Sequence, residues 1–263
     1  MAAFNLASLL RAQVQQRPFT PALIVNTGRG YTTLTFAQLD AESDAYAYGL
    51  KDYGLAPGQR VLLLVTPSAR LLTLGWSLLK LGCVPVVIDL DLPRADWLAC
   101  VQEIEPHAFI GVPLAHLLRL RYPRPFPRAL KLVTAGPRLG WGGASLAELR
   151  RPTPSPFPLA STQAHSPAAI VFTTGSTGLP KGAVWTHGQL AAQCESLRAL
   201  FHLQPGDVDL AAYPFSALLD AALGLTAVLP QTDFARPARA DVARLVASLR
   251  DHRASFAFFS PTL

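Results

Sequence analysis

The chain has 263 residues, half of them hydrophobic and only 15% charged, which allows a large buried core and excludes a disordered chain. The net charge is +6, yet the basic residues are scattered arginines without a run of five or interleaved aromatics, which argues against a nucleic-acid partner. Cys83, Cys100 and Cys194 are far apart and form no Cys-x-x-Cys pair, so they read as free thiols of a reducing, cytoplasmic compartment with no disulfide framework or zinc site.

In chain order, Asn5 is placed to cap a helix whose Leu6, Leu9, Leu10 and Val14 share one face, with Pro18 beyond its end. Ala22 to Val25, a Gly28-Arg29-Gly30 turn and Thr32 to Thr35 read as a hairpin. A helix from Phe36 to about Tyr53 ends at Gly54. Arg60 to Val65 is a short apolar strand of the kind buried on both faces. A helix over Ala69 to Leu81 and a strand Val84 to Ile88 follow; Lys80 and Pro85 break this apolar region, so no membrane span is expected. A helix spans about Arg94 to Glu105, then a strand Ala108 to Gly111, a helix near Leu114 to Leu120 and a strand Lys131 to Thr134. Asp89 and Asp91 are expected to cap the helix at Arg94 and not to hold a metal, and His116 is expected on a helix surface.

Arg151 to Pro158 is proline-rich and extended. It suggests a division into a first α/β region at 1–150, a connector at 151–167 and a second region at 168–263. That second region reads as a strand Ala169 to Phe172, a glycine-rich loop, a strand Gly182 to Thr186 and a helix from about Gln189 to Phe201. Val208 to Ala212 reads as a strand. Ala217 to Val228 reads as one tightly packed helix with Gly224 inside it. Asp241 to Arg250 is an amphipathic helix and Ser255 to Phe259 a last apolar strand. Strands alternating with helices imply an α/β fold of mostly parallel sheets flanked by helices.

The most telling stretch is Thr173-Thr174-Gly175-Ser176-Thr177-Gly178-Leu179-Pro180-Lys181-Gly182. Glycines let successive backbone N–H groups approach an anion, Ser and Thr add hydroxyl donors, and a lysine adds a mobile positive charge. Such a segment suits a polyphosphate. It is not a Walker P-loop, which ends in Gly-Lys-Ser/Thr, because here Pro180 precedes Lys181 and Gly182 follows it.

These residues resemble the signature loop of the adenylate-forming superfamily, which includes acyl-CoA synthetases, peptide-synthetase adenylation domains and luciferases. Tyr31 to Asp40 resembles the family's early strand and helix. Gly54-Leu55-Ala56-Pro57-Gly58-Gln59-Arg60-Val61 resembles its Gly-x-x-Pro-Gly-Asp-x-Val turn, with Gln59 in place of the acid. Ala108 to His116, Gly140-Trp141-Gly142-Gly143 and Tyr213 to Gly224 are most similar to the olefin-pathway β-lactone synthetases. The resemblance covers nearly the whole chain.

It implies the N-terminal portion of the adenylate-forming fold, incomplete at the C-terminus, with the adenine, ribose and catalytic-lysine segments of the family still to come. The isolated chain is accordingly expected to be inactive. The implied reaction is ATP-dependent activation of a carboxylic acid, a β-hydroxy fatty acid, as an acyl-adenylate with release of pyrophosphate. Closure to a β-lactone then expels AMP. The resemblance assigns Lys181 and Thr177 to catalysis, and Thr173, Thr174, Gly175, Ser176, Thr177, Gly178 and Lys181 to ATP, with Mg²⁺ alongside and no metal ligand among the residues of this chain. Tyr213, Phe215 and Leu218, with Leu219 and Leu223, are candidates for the wall of an acyl tunnel, and equally for ordinary core. Other enzymes of an olefin or lipid pathway are implied as partners. Many CoA-forming relatives carry a histidine where this chain has Ser216-Ala217, which favours the lactone branch. His187 matches a frequent family histidine and is expected to be structural. A fatty-acyl-CoA or acyl-ACP ligase fragment, and a non-catalytic remnant of the fold, remain alternatives.

Overall fold

The computed structural model describes residues 3–28, 30–88, 92–127, 130–152, 155–173, 180–232, 234 and 239–259, with the Thr173 side chain left out. The elements begin α1 (Ala7–Gln16), β1 (Pro21–Asn26), β2 (Tyr31–Thr35), α2 (Phe36–Asp52), β3 (Arg60–Leu64), α3 (Ala69–Leu81) and β4 (Val84–Ile88). They continue with α4 (Arg94–Ile104), β5 (Ala108–Gly111), α5 (Pro113–Arg121), β6 (Lys131–Thr134), β7 (Ala144–Ser145) and α6 (Leu146–Leu149). The last are β8 (Pro167–Thr173), β9 (Lys181–Thr186), α7 (His187–Phe201), β10 (Val208–Ala211), α8 (Pro214–Leu223), β11 (Thr226–Leu229), α9 (Val242–Asp251) and β12 (Phe256–Phe258).

The chain forms two compact units with interleaved segments: 1–5, 44–66 and 77–188 in the first, 6–43, 67–76 and 189–263 in the second. This partition differs from one drawn along the chain at 151–167. The proline-rich stretch stays inside the first unit, and β1 and β2 belong with strands from the far end of the sequence. Strand pairing decides this, because β1 lies parallel to β11 with Ile24 opposite Val228.

The first unit holds a seven-stranded sheet in the order β7-β6-β5-β3-β4-β8-β9. All its pairs are parallel except β8 with β9. Leu62, Val86, Phe109, Ile170 and Phe172 form its core with Trp97 and Val101 of α4. The second unit holds a five-stranded sheet, β12-β10-β11-β1-β2, again parallel except for the β1–β2 hairpin. β3, β5 and β11 are buried along almost their whole length, which explains their apolar sequences. Helices α1 and α8 pack together, and α8 lies on β10, β11 and β1.

Three local expectations change. The α1 N-cap is Leu6, without a side-chain cap bond. Asn5 is buried instead and its amide donates to the carbonyls of Leu79 (2.9 Å) and Ala160 (3.2 Å), where a lost bond costs more than at an exposed cap. The single helix Ala217 to Val228 is two elements. Gly224 takes φ of 83° and ends α8, and Thr226–Leu229 becomes the buried strand β11. A short all-apolar run does not distinguish helix from buried strand, and the glycine marked the boundary. His116 is fully buried on the inner face of α5, not on its surface. Its Nε2 lies 3.1 Å from the Val133 carbonyl, and its ring stacks on Trp141 at 5.1 Å. Asp89 and Asp91 lie outside the described residues.

Candidate functional site

In the first unit the glycine-rich segment joins β8 to β9, and Thr173 stands directly opposite Lys181 in the antiparallel register. Thr174, Gly175, Ser176, Thr177, Gly178 and Leu179 lie outside the described residues. Their two ends do not. β8 runs parallel to β4, with Phe172 beside Ile88, so the segment leaves the sheet at the carboxyl end of its parallel strands. That is the edge where ligands of α/β sheets bind. Lys181 is exposed at the first position of β9.

Gly182 has a packing role of its own. A Cβ there would stand 2.9 Å from the ring of Phe172, which is only 2% exposed. The glycine after the lysine is therefore needed to seat β9 on that ring. Pro180 precedes the first strand residue and has no N–H to contribute.

His187 sits at the other end of the same ribbon. Thr186 pairs with Pro167, and β9 at the rise of an extended strand separates Lys181 from His187 by about 20 Å. His187 is fully buried, and desolvation lowers its imidazole to about 4, which keeps it neutral. Its backbone N–H donates to the Ser166 carbonyl at 3.1 Å and that of Gly188 to Ala164 at 2.7 Å. This anchoring gives His187 a structural place, remote from the phosphate segment.

In the second unit, Tyr213 is the N-cap residue of α8 and Pro214 its first residue. Tyr213 is 42% exposed, and its ring centroid lies 6.3 Å from Phe215 and 6.4 Å from Phe258. Phe258 of β12 thus joins the two aromatics named from sequence. Leu218 differs from them. It is buried, and one of its methyls lies 3.2 Å from where a Gly75 side chain would begin, so it packs α8 on α3. Leu219 and Leu223 are buried likewise. Tyr213 is exposed, whereas Leu218 is buried.

Beneath this helix end lies a feature that sequence reasoning missed. Asp209 of β10 and Asp220 of α8 are buried side by side and hydrogen-bonded to each other. Ser216 donates to Asp209 Oδ2 at 3.2 Å. Burial pushes Asp209 up to about 6, tempered by the hydrogen bonds it accepts from Asp220, Ser216 and the Phe258 backbone. Asp220 is driven well above the usual carboxylate range, first by desolvation and then by the charge of Asp209 and the proton it donates to it. Two such carboxyls cannot both ionise, so they share a proton with Asp220 as the acid. The signal was present as single acids inside the apolar runs Val208 to Ala211 and Ala217 to Leu223.

Among the described residues, no three His, Cys, Asp or Glu side chains cluster as a metal site, and no helix is long and apolar enough to cross a membrane. The three cysteines are buried and unpaired.

Known proteins agree with this layout. The family model described as "AMP-binding enzyme" matches residues 10–263, and the chain belongs to that family of adenylate-forming enzymes. Within it, the chain is 43% identical to an olefin beta-lactone synthetase of Stenotrophomonas maltophilia (strain K279a), over 98% of this chain and 48% of that protein. It is 42% identical to the protein of the same name from Xanthomonas campestris pv. campestris, again over 98% and 48%. The chain spans about half the length of these curated relatives. Among solved structures, an anthranilate CoA ligase, AuaEII, in complex with anthranoyl-AMP superposes with a TM-score of 0.82 at 19% identity, covering 99% of this chain and 50% of the other. A putative long-chain-fatty-acid CoA ligase of Rhodopseudomonas palustris gives 0.81 at 20% identity, covering 99% and 64%. The fold is therefore the N-terminal part of the adenylate-forming fold.

Proposed function

We propose that this chain supplies the ATP-gripping part of an enzyme that activates a β-hydroxy fatty acid. The acid's carboxylate attacks the α-phosphorus, an acyl-adenylate forms and pyrophosphate leaves. The substrate's own β-hydroxyl then attacks the activated carbonyl and expels AMP, closing a β-lactone. Nucleophile and electrophile share one molecule, which favours closure through proximity and leaves no need for CoA.

The observation that carries this reading is the β8–β9 ribbon, with Thr173 opposite Lys181 at the carboxyl edge of a parallel sheet. Backbone N–H groups of 174–178, the hydroxyls of Thr173, Thr174, Ser176 and Thr177, and the Lys181 ammonium neutralise the β- and γ-phosphates as negative charge grows on the leaving group. Lys181 and Thr177 carry the catalytic part of this work. Mg²⁺ supplies further charge neutralisation when bound. No step here is assigned to it. Tyr213 and Phe215, with Phe258, form the apolar entrance for the acyl chain, and Leu218 supports them from within. A cytoplasmic location with lipid-pathway partners belongs to the same reading; the buried, unpaired thiols support a reducing compartment.

Two measurements test it. Lys181→Ala should weaken ATP binding by about 10- to 100-fold, since a charge-assisted contact contributes about 1.5–3 kcal/mol. Unchanged affinity removes the ribbon from the site. In the protein extended to the length of its relatives, ATP and a β-hydroxy fatty acid without CoA should yield AMP and a β-lactone. A thioester formed only with CoA present would make it a CoA ligase. No turnover with either, despite ATP binding, would make it a non-catalytic remnant.

A further inference from the structure

The first unit exposes an apolar stripe where a helix normally shows polar side chains. α5 buries Ala115 and His116 and turns Leu114, Leu117 and Leu120 outward, 74%, 50% and 50% exposed. These leucines recur at a spacing of three, so they share one face. Along this part of the chain the charge has a single sign. Arg119 and Arg121 lie in the last turn of α5 and Arg124 just beyond, and no Asp or Glu occurs between Glu105 and Glu148. Beside the stripe, Leu98, Arg121, Tyr122, Pro123, Arg124 and Pro125 line a cleft of about 470 Å³. Arg94 and Arg121 both stand over the Tyr122 ring at 5.1 Å, which holds two guanidinium groups at its rim. The Arg119 Nε is buried without an acceptor among the described residues. The arginine rim and the outward leucines ask for one kind of surface, apolar and anionic together.

We propose that α5 and the 122–125 turn dock this protein on a membrane bearing anionic phospholipid. The leucines enter the acyl boundary, and Arg119, Arg121 and Arg124 meet headgroup phosphates. The helix lies in the interface and does not cross it. The surface would bring the protein to the phase in which long-chain acids reside, and it stands whether or not the reaction proposed above is correct.

Co-sedimentation with vesicles tests this directly, using phosphatidylcholine alone and phosphatidylcholine with about one third phosphatidylglycerol. The chain should bind the anionic vesicles, bind neutral ones far less, and release as salt rises. The double variant Arg121→Gln, Arg124→Gln should lose about 30-fold in affinity, two basic residues at about tenfold or less each. The triple variant Leu114→Ser, Leu117→Ser, Leu120→Ser should abolish binding, and the exposure of these positions leaves folding intact by circular dichroism. Binding that is absent, or equal in both variants and the parent, overturns the proposal. So does a dimer, seen by light scattering without vesicle binding, that the leucine variant abolishes, since a second copy would then cover the face. Binding to polyglutamate but not to vesicles would make an acidic polypeptide the occupant and equally overturn it.

Discussion

The two units bury ionisable pairs in opposite ways. In the first, Lys80 and Asp44 are 2.6 Å apart with side chains 0% and 4% exposed, and opposite charges neutralise each other. In the second, Asp209 and Asp220 are both acids and are held together by a shared proton. The first pair needs only geometry. The second needs a proton as well, and it lies under the end of α8 that carries Tyr213, Phe215 and Ser216. Pairing by charge makes a scaffold, whereas pairing by proton makes a region that responds to pH.

Breaking the charge pair should have the largest effect. Lys80→Ala leaves Asp44 buried without its cation and should destabilise by about 3–5 kcal/mol, read from urea denaturation. Asp220→Ala removes the proton donor of the second pair and opens a small cavity, for a loss of about 1–3 kcal/mol. Gly182→Ala drives a methyl into the Phe172 ring and should cost about 1–3 kcal/mol by the same assay, whatever becomes of ATP binding.

The smallest effect sharpens the comparison most. Asp220→Asn keeps a donor toward Asp209 and should cost about 1 kcal/mol or less, while altering the pH profile. Both acids have folded pKa values above the ordinary 3.8, so between that value and the raised ones the folded chain binds more protons than the unfolded chain. The contribution is complete below about pH 4 and is lost as pH rises through about 6 for Asp209 and higher for Asp220. Stability measured from pH 4 to 8 should fall through this window in the parent and fall less in Asp220→Asn. Identical profiles would show that no proton is shared.

Much of the fold was legible because its signals are local. Solid apolar strands between amphipathic helices foretold the parallel sheet, and Ala169 to Phe172 and Gly182 to Thr186 foretold the two strands of the ribbon. Long-range pairing was not legible, since nothing in Pro21 to Asn26 says that it will lie beside Thr226 to Leu229. Leu218 and Gly182 each belong to a motif that suggests a ligand, and each is also held by packing. The Asp209–Asp220 pair escaped notice because its two halves come from different elements and acquire meaning only when buried together.

The most direct test is photolabelling with an ATP analogue carrying an azide on its γ-phosphate, followed by peptide mapping. Label confined to peptides within residues 173–182, and suppressed by excess ATP, is the predicted result. ATP-protected label elsewhere in the chain, with 173–182 unmodified, would contradict the assignment of this ribbon to the phosphates.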